Sequence, residues 1–375
     1  MPGSTYIDSY PEFLRLERFL KLILQILKFS VLPQKIFSGS RIYLFHIYHL
    51  HFVLSLIASS LYFEKNVAMW VLTIVEFITV LQLVVKFSSI VTHEEDLNQF
   101  FLWLRQVHQL NKNESIANST KKHFRNNLLL VQRILKFIFP VAFLAGAVFI
   151  YYLISVDTII CALPGLSPNQ NQSSILHHIN QILTLGPLTT FVTFYDSLYI
   201  CAGFYLIAVL NIFHDTVLCL DNSELVDKKK FLKMCYLFHS KILTNLELFN
   251  CIFNNVLSAQ AVSSTFYVFL VFVLFLVDGS PTFLAPAITI YSQFAALCIF
   301  GELIYAKSEK IFVALYLTKW YDFDVNEQKF LLMMMHASMK PFGFKLAGIY
   351  EINALMFIQV FKIGFSYGTI LYTFS

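Results

Sequence analysis

Seven apolar runs recur along this chain, at 43–63, 67–90, 134–156, 182–210, 257–277, 283–305 and 350–374. Each is long enough for an α-helix to cross a hydrocarbon core of about 30 Å, which takes about 20 residues. The pattern predicts an all-α polytopic membrane protein with seven transmembrane helices. Ahead of them, residues 1–42 form an amphipathic segment in which Arg15, Glu17, Arg18, Lys21 and Lys28 interrupt the apolar positions. No cleavable signal peptide is expected there, so the first span doubles as the insertion signal. Apolar residues keep helical spacing through 228–256 and 307–321. These stretches read as extensions of spans five and six, forming with 322–349 a helical anchor domain below the membrane. The expected organisation is therefore 1–42, amphipathic; 43–210, spans one to four with an outer loop at 157–181; 211–256, a loop and helix extension; 257–305, spans five and six; 306–349, the anchor; and 350–375, the seventh helix.

Charge orients the bundle. Of the 27 Lys and Arg, 23 fall in the N-terminal segment and in the loops after spans two, four and six. The alternate loops hold only Lys65, and Lys86, Lys136 and Lys362 lie within spans. The positive-inside rule then places the N-terminus in the cytosol and the C-terminus outside. A seven-helix G-protein-coupled receptor has the opposite orientation. The chain also has no Asp-Arg-Tyr after span three and no Asn-Pro-x-x-Tyr in span seven.

Composition agrees. Hydrophobic residues make up 57% of the 375 and charged residues 13%, with 40 Phe and 19 Tyr, against about 25% charged in soluble domains. The mean hydropathy is +0.65. These values exclude both a soluble globule and a disordered chain. A net charge of +4, without a basic stripe, gives no reason to expect a nucleic acid. Six Cys show neither a paired CxxC nor a zinc-ligand spacing. No nucleophile–base, phosphate-loop or dinucleotide motif occurs, so neither an enzyme nor a cofactor is expected.

Several polar residues invite chemistry. Asn113, Asn118 and Asn171 open N-glycosylation sequons, and only Asn171 falls outside the membrane on this topology. His46, His49 and His51 read as interfacial side chains, because no partner carboxylate or Cys accompanies them. Glu76 and Asp196 are acids within spans, where charge is expensive and often functional. Glu76 reads equally as a ligand, proton or cation contact and as a protonated acid or a group paired across helices. Asp196 reads better as a protonated acid or a paired group, for instance with Lys86 or Lys136. Asp157 and Asp278 sit at outer helix ends. The outer halves of the spans carry Trp70, Ile74, Phe77, Tyr151, Tyr152, Thr190, Phe194, Tyr267 and Tyr291. As a set they suit an apolar pocket with a few polar contacts for a small volatile ligand.

The last seventy residues resemble the C-terminal region of insect odorant receptors. The matching pieces are Gly301-Glu302-Leu303, Ala314-Leu315-Tyr316, Trp320-Tyr321, the Leu and Met run from Leu331 to Met335, Lys340-Pro341, Ala347-Gly348 and Ser366-Tyr367. The related gustatory receptors end in Thr-Tyr, five apolar residues, then Gln-Phe. Here Ser366-Tyr367 is followed after the same spacing by Thr373-Phe374, which favours the odorant branch. The shared olfactory co-receptor has a much longer loop between spans four and five, so this chain resembles an odorant-tuned subunit.

The resemblance implies the odorant-binding subunit of a heteromeric, ligand-gated, non-selective cation channel, a tetramer with co-receptor subunits. An apolar or aromatic volatile would bind among helices two to six, and the seventh helix would line the pore. By position, Ile370 and Phe374 would face the gate and Thr373 would be the polar lining residue. Their 3–4 spacing shares one helical face. The co-receptor carries Gln where Thr373 stands. The resemblance further implies the plasma membrane of a sensory neuron dendrite, with membrane lipid and permeating cations as further partners. The alternatives are a gustatory-type homomeric channel, a metabotropic chemoreceptor and a transporter.

Overall fold

The computed structural model describes residues 6–30, 41–109, 114–166, 171–221, 227–278, 284–346 and 349–374. Among the described residues ten α-helices run in chain order: α1 (Tyr10–Leu27), α2 (Arg41–Tyr62), α3 (Val67–Thr92), α4 (Glu94–Val107), α5 (Glu114–Ser155), α6 (Asn171–Leu218), α7 (Lys228–Asp278), α8 (Leu284–Tyr316), α9 (Val325–Ser338) and α10 (Ala354–Phe374). The seven apolar runs fall on α2, α3, α5, α6, α7, α8 and α10. Among the described residues, five helices are long and apolar enough to cross a membrane, those over Tyr43–Tyr62, Val67–Thr92, Ile116–Ser155, Ser174–Asp221 and Lys228–Leu274.

Helix surfaces show how the apolar excess is accommodated. On α2 the exposed residues Tyr43, Ile47, Leu50, Leu54, Ile57 and Leu61 repeat every three or four positions, while Phe45, Phe52 and Leu56 face inward. A stripe of large apolar side chains pointing outward is unstable in water and suits lipid. The core runs through the bundle interior, with Phe45 stacked on Phe87 at 3.8 Å.

α5, α6 and α7 have 42, 48 and 51 residues. At 1.5 Å per residue each is roughly twice as long as a bilayer core is thick. The segment 306–349, expected as an anchor, packs through α9 on α7 and α8. There Ser338 Oγ meets His239 Nε2 at 3.0 Å, and the Phe342 amide donates to Ser308 Oγ at 2.8 Å. α9 starts on a capping box of Asp324 and Glu327. The anchor is not wholly helical. β1 (Lys345–Leu346) pairs antiparallel with β2 (Tyr350–Glu351), pairing Lys345 with Glu351 and Leu346 with Tyr350.

α6 also differs from expectation. It begins at Asn171, within the stretch 157–181 read as an outer loop, and eleven residues before the expected span start. The reason is polar satisfaction. Gln181 accepts from the Ile160 amide at 2.7 Å, Asn180 donates to Ser55 and to the Cys161 carbonyl at 3.2 Å each, and His51 Nε2 meets Asn180 Oδ1 at 2.9 Å. These side chains depress the hydropathy of the first turns of α6 while being buried among themselves. His49 is buried too, its Nδ1 2.7 Å from the Phe45 carbonyl. Both histidines are thus hydrogen-bonded within the bundle.

Gly301 fixes the entry to α10. A Cβ there would lie 2.0 Å from the Ile352 carbonyl oxygen, so only glycine lets α8 press against this segment. Its neighbour Glu302 accepts from the Ala354 amide at 3.4 Å, placing negative charge at the start of α10.

Candidate functional site

Thr79, Gln82, Lys86 and Ser89 recur on α3 at intervals of three, four and three, so they share one helical face. That face meets α7. Thr79 Oγ1 and Tyr267 Oη lie 2.8 Å apart, and Tyr267 Oη donates to Gln82 Oε1 at 3.5 Å. Gln82 Nε2 and Lys86 Nζ both donate to Gln260 Oε1. Lys86 Nζ also donates to Asp196 Oδ1 of α6 at 2.8 Å, and Ser89 Oγ donates to the Ile252 carbonyl at 2.9 Å. A continuous polar seam therefore joins α3, α6 and α7 inside an apolar bundle.

Lys86 is completely buried. An isolated ammonium there would cost several kcal/mol, which the Asp196 carboxylate and the Gln260 amide oxygen offset. The sequence marked Lys86 as a partner for a buried acid, and the structure gives it Asp196. It did not connect Thr79, Gln82 and Ser89 with Gln260. The available signal was their helical spacing in an otherwise apolar run.

Glu76 stands apart from the seam. It is half-buried on α3, within electrostatic reach of Tyr48, Cys161 and Tyr267. Among the described residues no hydrogen bond or ion pair to its carboxylate is found. Tyr48, by contrast, donates its hydroxyl to the Thr184 carbonyl. An acid facing the bundle interior, with phenols nearby, has acceptor capacity left over.

The nine expected pocket residues divide. Tyr267 is buried at the upper end of the seam. Phe194 packs on Phe139 of α5, ring centroids 5.8 Å apart, and Thr190 donates to the Gly186 carbonyl one turn earlier at 3.2 Å. Tyr152 is half-buried on α5. Tyr291 lies 4.9 Å from Phe361, in an aromatic cluster with Phe272 that touches α10. Trp70, Ile74, Phe77 and Tyr151 face outward, Tyr151 at 73% exposure. On α3 the outward stripe is Val67, Trp70, Ile74, Phe77, Leu81 and Val85, opposite the buried face. The sequence placed all four in the pocket set, and in the single chain their side chains are exposed.

Lys65, between α2 and α3, donates to Thr73 Oγ1 at 2.7 Å and to Ser60 Oγ at 3.1 Å, and lies 5.3 Å from the Trp70 ring centroid. Burial pushes its ammonium down to about 8.

Of the expected pore residues, Ile370 is exposed on α10 in the single chain. The side chains of Thr373 and Phe374 lie outside the described residues, as does that of Asn171 at the start of α6. With Ile370, the residues Leu355, Ile358, Ile363, Phe365 and Tyr367 leave much of α10 apolar and uncovered. The anchor likewise exposes Tyr316, Leu317, Trp320, Tyr321, Leu332 and Met333. Between α7, α8 and α9 the anchor also holds an open cavity of about 340 Å³, lined by His239, Glu247, Ser308 and Lys345 among others.

Comparison with known proteins gives three findings. Residues 66–365 match the family described as 7tm Odorant receptor. Over 88 residues the chain is 30% identical to Odorant receptor 30a of Drosophila melanogaster, a match covering 24% of this chain and 23% of that relative. Two structures of the insect olfactory receptor OR5 from Machilis hrabei share the fold. One superposes with a TM-score of 0.79 at 13% identity, covering 97% of this chain and 99% of that one. The other, in complex with eugenol, gives 0.76 at 15% identity, covering 98% and 100%.

Proposed function

This chain belongs to the 7tm odorant receptor family, a family of membrane receptors and not of enzymes, and from that premise we propose that it is the odorant-binding subunit of a heteromeric ligand-gated cation channel. The observation that carries the reading is the division of polar and apolar surface. Buried acceptors line the bundle interior, while apolar side chains of α10, among them Ile358, Ile363 and Phe365, are exposed in the single chain.

A small volatile enters among helices two to six of the transmembrane set and contacts Tyr267, with Thr190, Phe194 and Tyr152 on the α5–α6 side. Glu76 supplies an acceptor, so a ligand with one donor group on an apolar body suits the space. The eugenol bound by OR5 is such a molecule. Gating requires that the ligand bind open and closed arrangements with different affinity. The contacts of Tyr291 and Phe272 with Phe361 supply a packed route from α7 and α8 to α10. Ile370, Thr373 and Phe374 then form the constriction, α10 meets co-receptor subunits, and the exposed apolar anchor residues join neighbouring subunits. Asn171 is the glycosylated site, and the receptor works in the plasma membrane of a sensory dendrite.

The test is current recording in oocytes with an odorant panel, with and without an insect co-receptor. Odorant-evoked current only on co-expression supports the proposal. Current from this chain alone replaces it with a homomeric channel of gustatory type. Surface-expressed protein that is silent in both settings refutes the channel reading for that panel, and saturable uptake without conductance would point to a transporter.

A further inference from the structure

At the corner between α3 and α4, His93 closes one helix and opens the next. Its Nδ1 lies 2.9 Å from Asp96 Oδ2 and 3.7 Å from Cys251 Sγ of α7. The three donor atoms all lie within 4.8 Å of one another. His93 and Asp96 are half-buried and Cys251 is exposed, so ions have access.

We propose that His93, Asp96 and Cys251 form a mononuclear Zn²⁺ site on the cytosolic side of the bundle. In a tetrahedral zinc site with bonds of about 2.0–2.3 Å, neighbouring nitrogen and sulfur ligands stand about 3.6 Å apart, and nitrogen and oxygen about 3.3 Å apart. The observed 3.7 Å fits the first edge. The 2.9 Å of the second is a hydrogen bond that lengthens by a few tenths of an ångström when the metal takes the proton's place. One imidazole, one thiolate and one carboxylate select zinc over Mg²⁺ and Ca²⁺, which take oxygen ligands. The fourth position is left to water.

On binding, the Cys251 thiol loses its proton to the buffer, His93 keeps a single proton on Nε2, and Asp96 binds as the carboxylate. Sequence spacing hides this site because Cys251 comes from a helix far along the chain. The ion ties the α3–α4 corner to α7, the helix that carries Gln260 and Tyr267. Cytosolic zinc is thereby placed to stiffen the junction between anchor and bundle.

The test is independent of channel activity. The full chain, purified in detergent, is titrated with Co²⁺. One equivalent should give a thiolate-to-cobalt charge-transfer band and tetrahedral visible absorption, and Zn²⁺ should bleach both. Cys251→Ser should abolish the charge-transfer band, and His93→Gln or Asp96→Asn should weaken Co²⁺ binding at least tenfold. If a variant aggregates, the wild-type chain still decides the matter, because Zn²⁺ should slow maleimide alkylation of Cys251 at least tenfold. Absence of the band, its persistence in Cys251→Ser, or alkylation at an unchanged rate would each overturn the proposal.

Discussion

Lys86 Nζ sits 2.8 Å from Asp196 Oδ1, with the lysine fully buried where α3, α6 and α7 meet. Removing one partner strands the other charge in an apolar bundle. Lys86→Met should therefore cost about 3–5 kcal/mol, while Lys86→Met with Asp196→Leu should recover most of it. Thermal unfolding followed by fluorescence-detected size exclusion reads both, and equal losses in the single and double variants would exclude the coupling.

Glu17, on the buried face of α1, takes two hydrogen bonds from Arg105, at 2.7 and 2.8 Å, and one ion pair from Lys21 at 2.9 Å. Burial pushes its carboxyl up, but Arg105 and Lys21 outweigh that and hold it below its usual value. A depressed carboxyl stabilises the fold above the unfolded-state value, about 4.3, and its contribution fades as pH falls through the folded value. Thermal stability should thus drop below about pH 4, and Glu17→Gln should flatten that drop. Arg105→Ala at neutral pH should cost about 2 kcal/mol, less than a fully buried pair because Arg105 is partly exposed.

Gly301→Ala drives a methyl group into the Ile352 carbonyl. The α8–α10 junction must open, at a cost of about 3 kcal/mol or more. Surface labelling should fall sharply, whereas alanine at Gly186, where nothing lies within 4 Å of a new Cβ, should be tolerated.

Glu76→Gln and Tyr267→Phe should each raise the half-maximal odorant concentration about tenfold, equivalent to about 1.4 kcal/mol. Maximal current should be kept. Trp70→Ala, on the outward stripe, should leave sensitivity unchanged. Dose–response curves on co-expressed receptors distinguish these outcomes.

Ile370→Ala and Phe374→Ala should raise basal current or alter cation selectivity. Normal basal current and reversal potential in both variants would remove these positions from the pore.

The sequence by itself determined the helical class, the seven apolar runs, the family and Lys86 as one candidate partner of Asp196. Those properties follow from run length, local spacing and the cost of charge in hydrocarbon, none of which needs coordinates. It also located Glu76 as an acid within a span. Only the tertiary structure decided which way each helix faces. Trp70, Ile74 and Phe77 are aromatic or aliphatic on any helix, and packing alone turns them outward while Thr79, Gln82 and Lys86 turn toward α7. The early start of α6 was hidden because Asn180 and Gln181 are polar in composition yet satisfied by partners on α2 and in the segment 158–161. The approach of Cys251 to His93 was hidden for the same physical reason. Contacts between residues far apart in the chain are fixed by how helices pack, and a linear pattern records only the neighbours each helix already has.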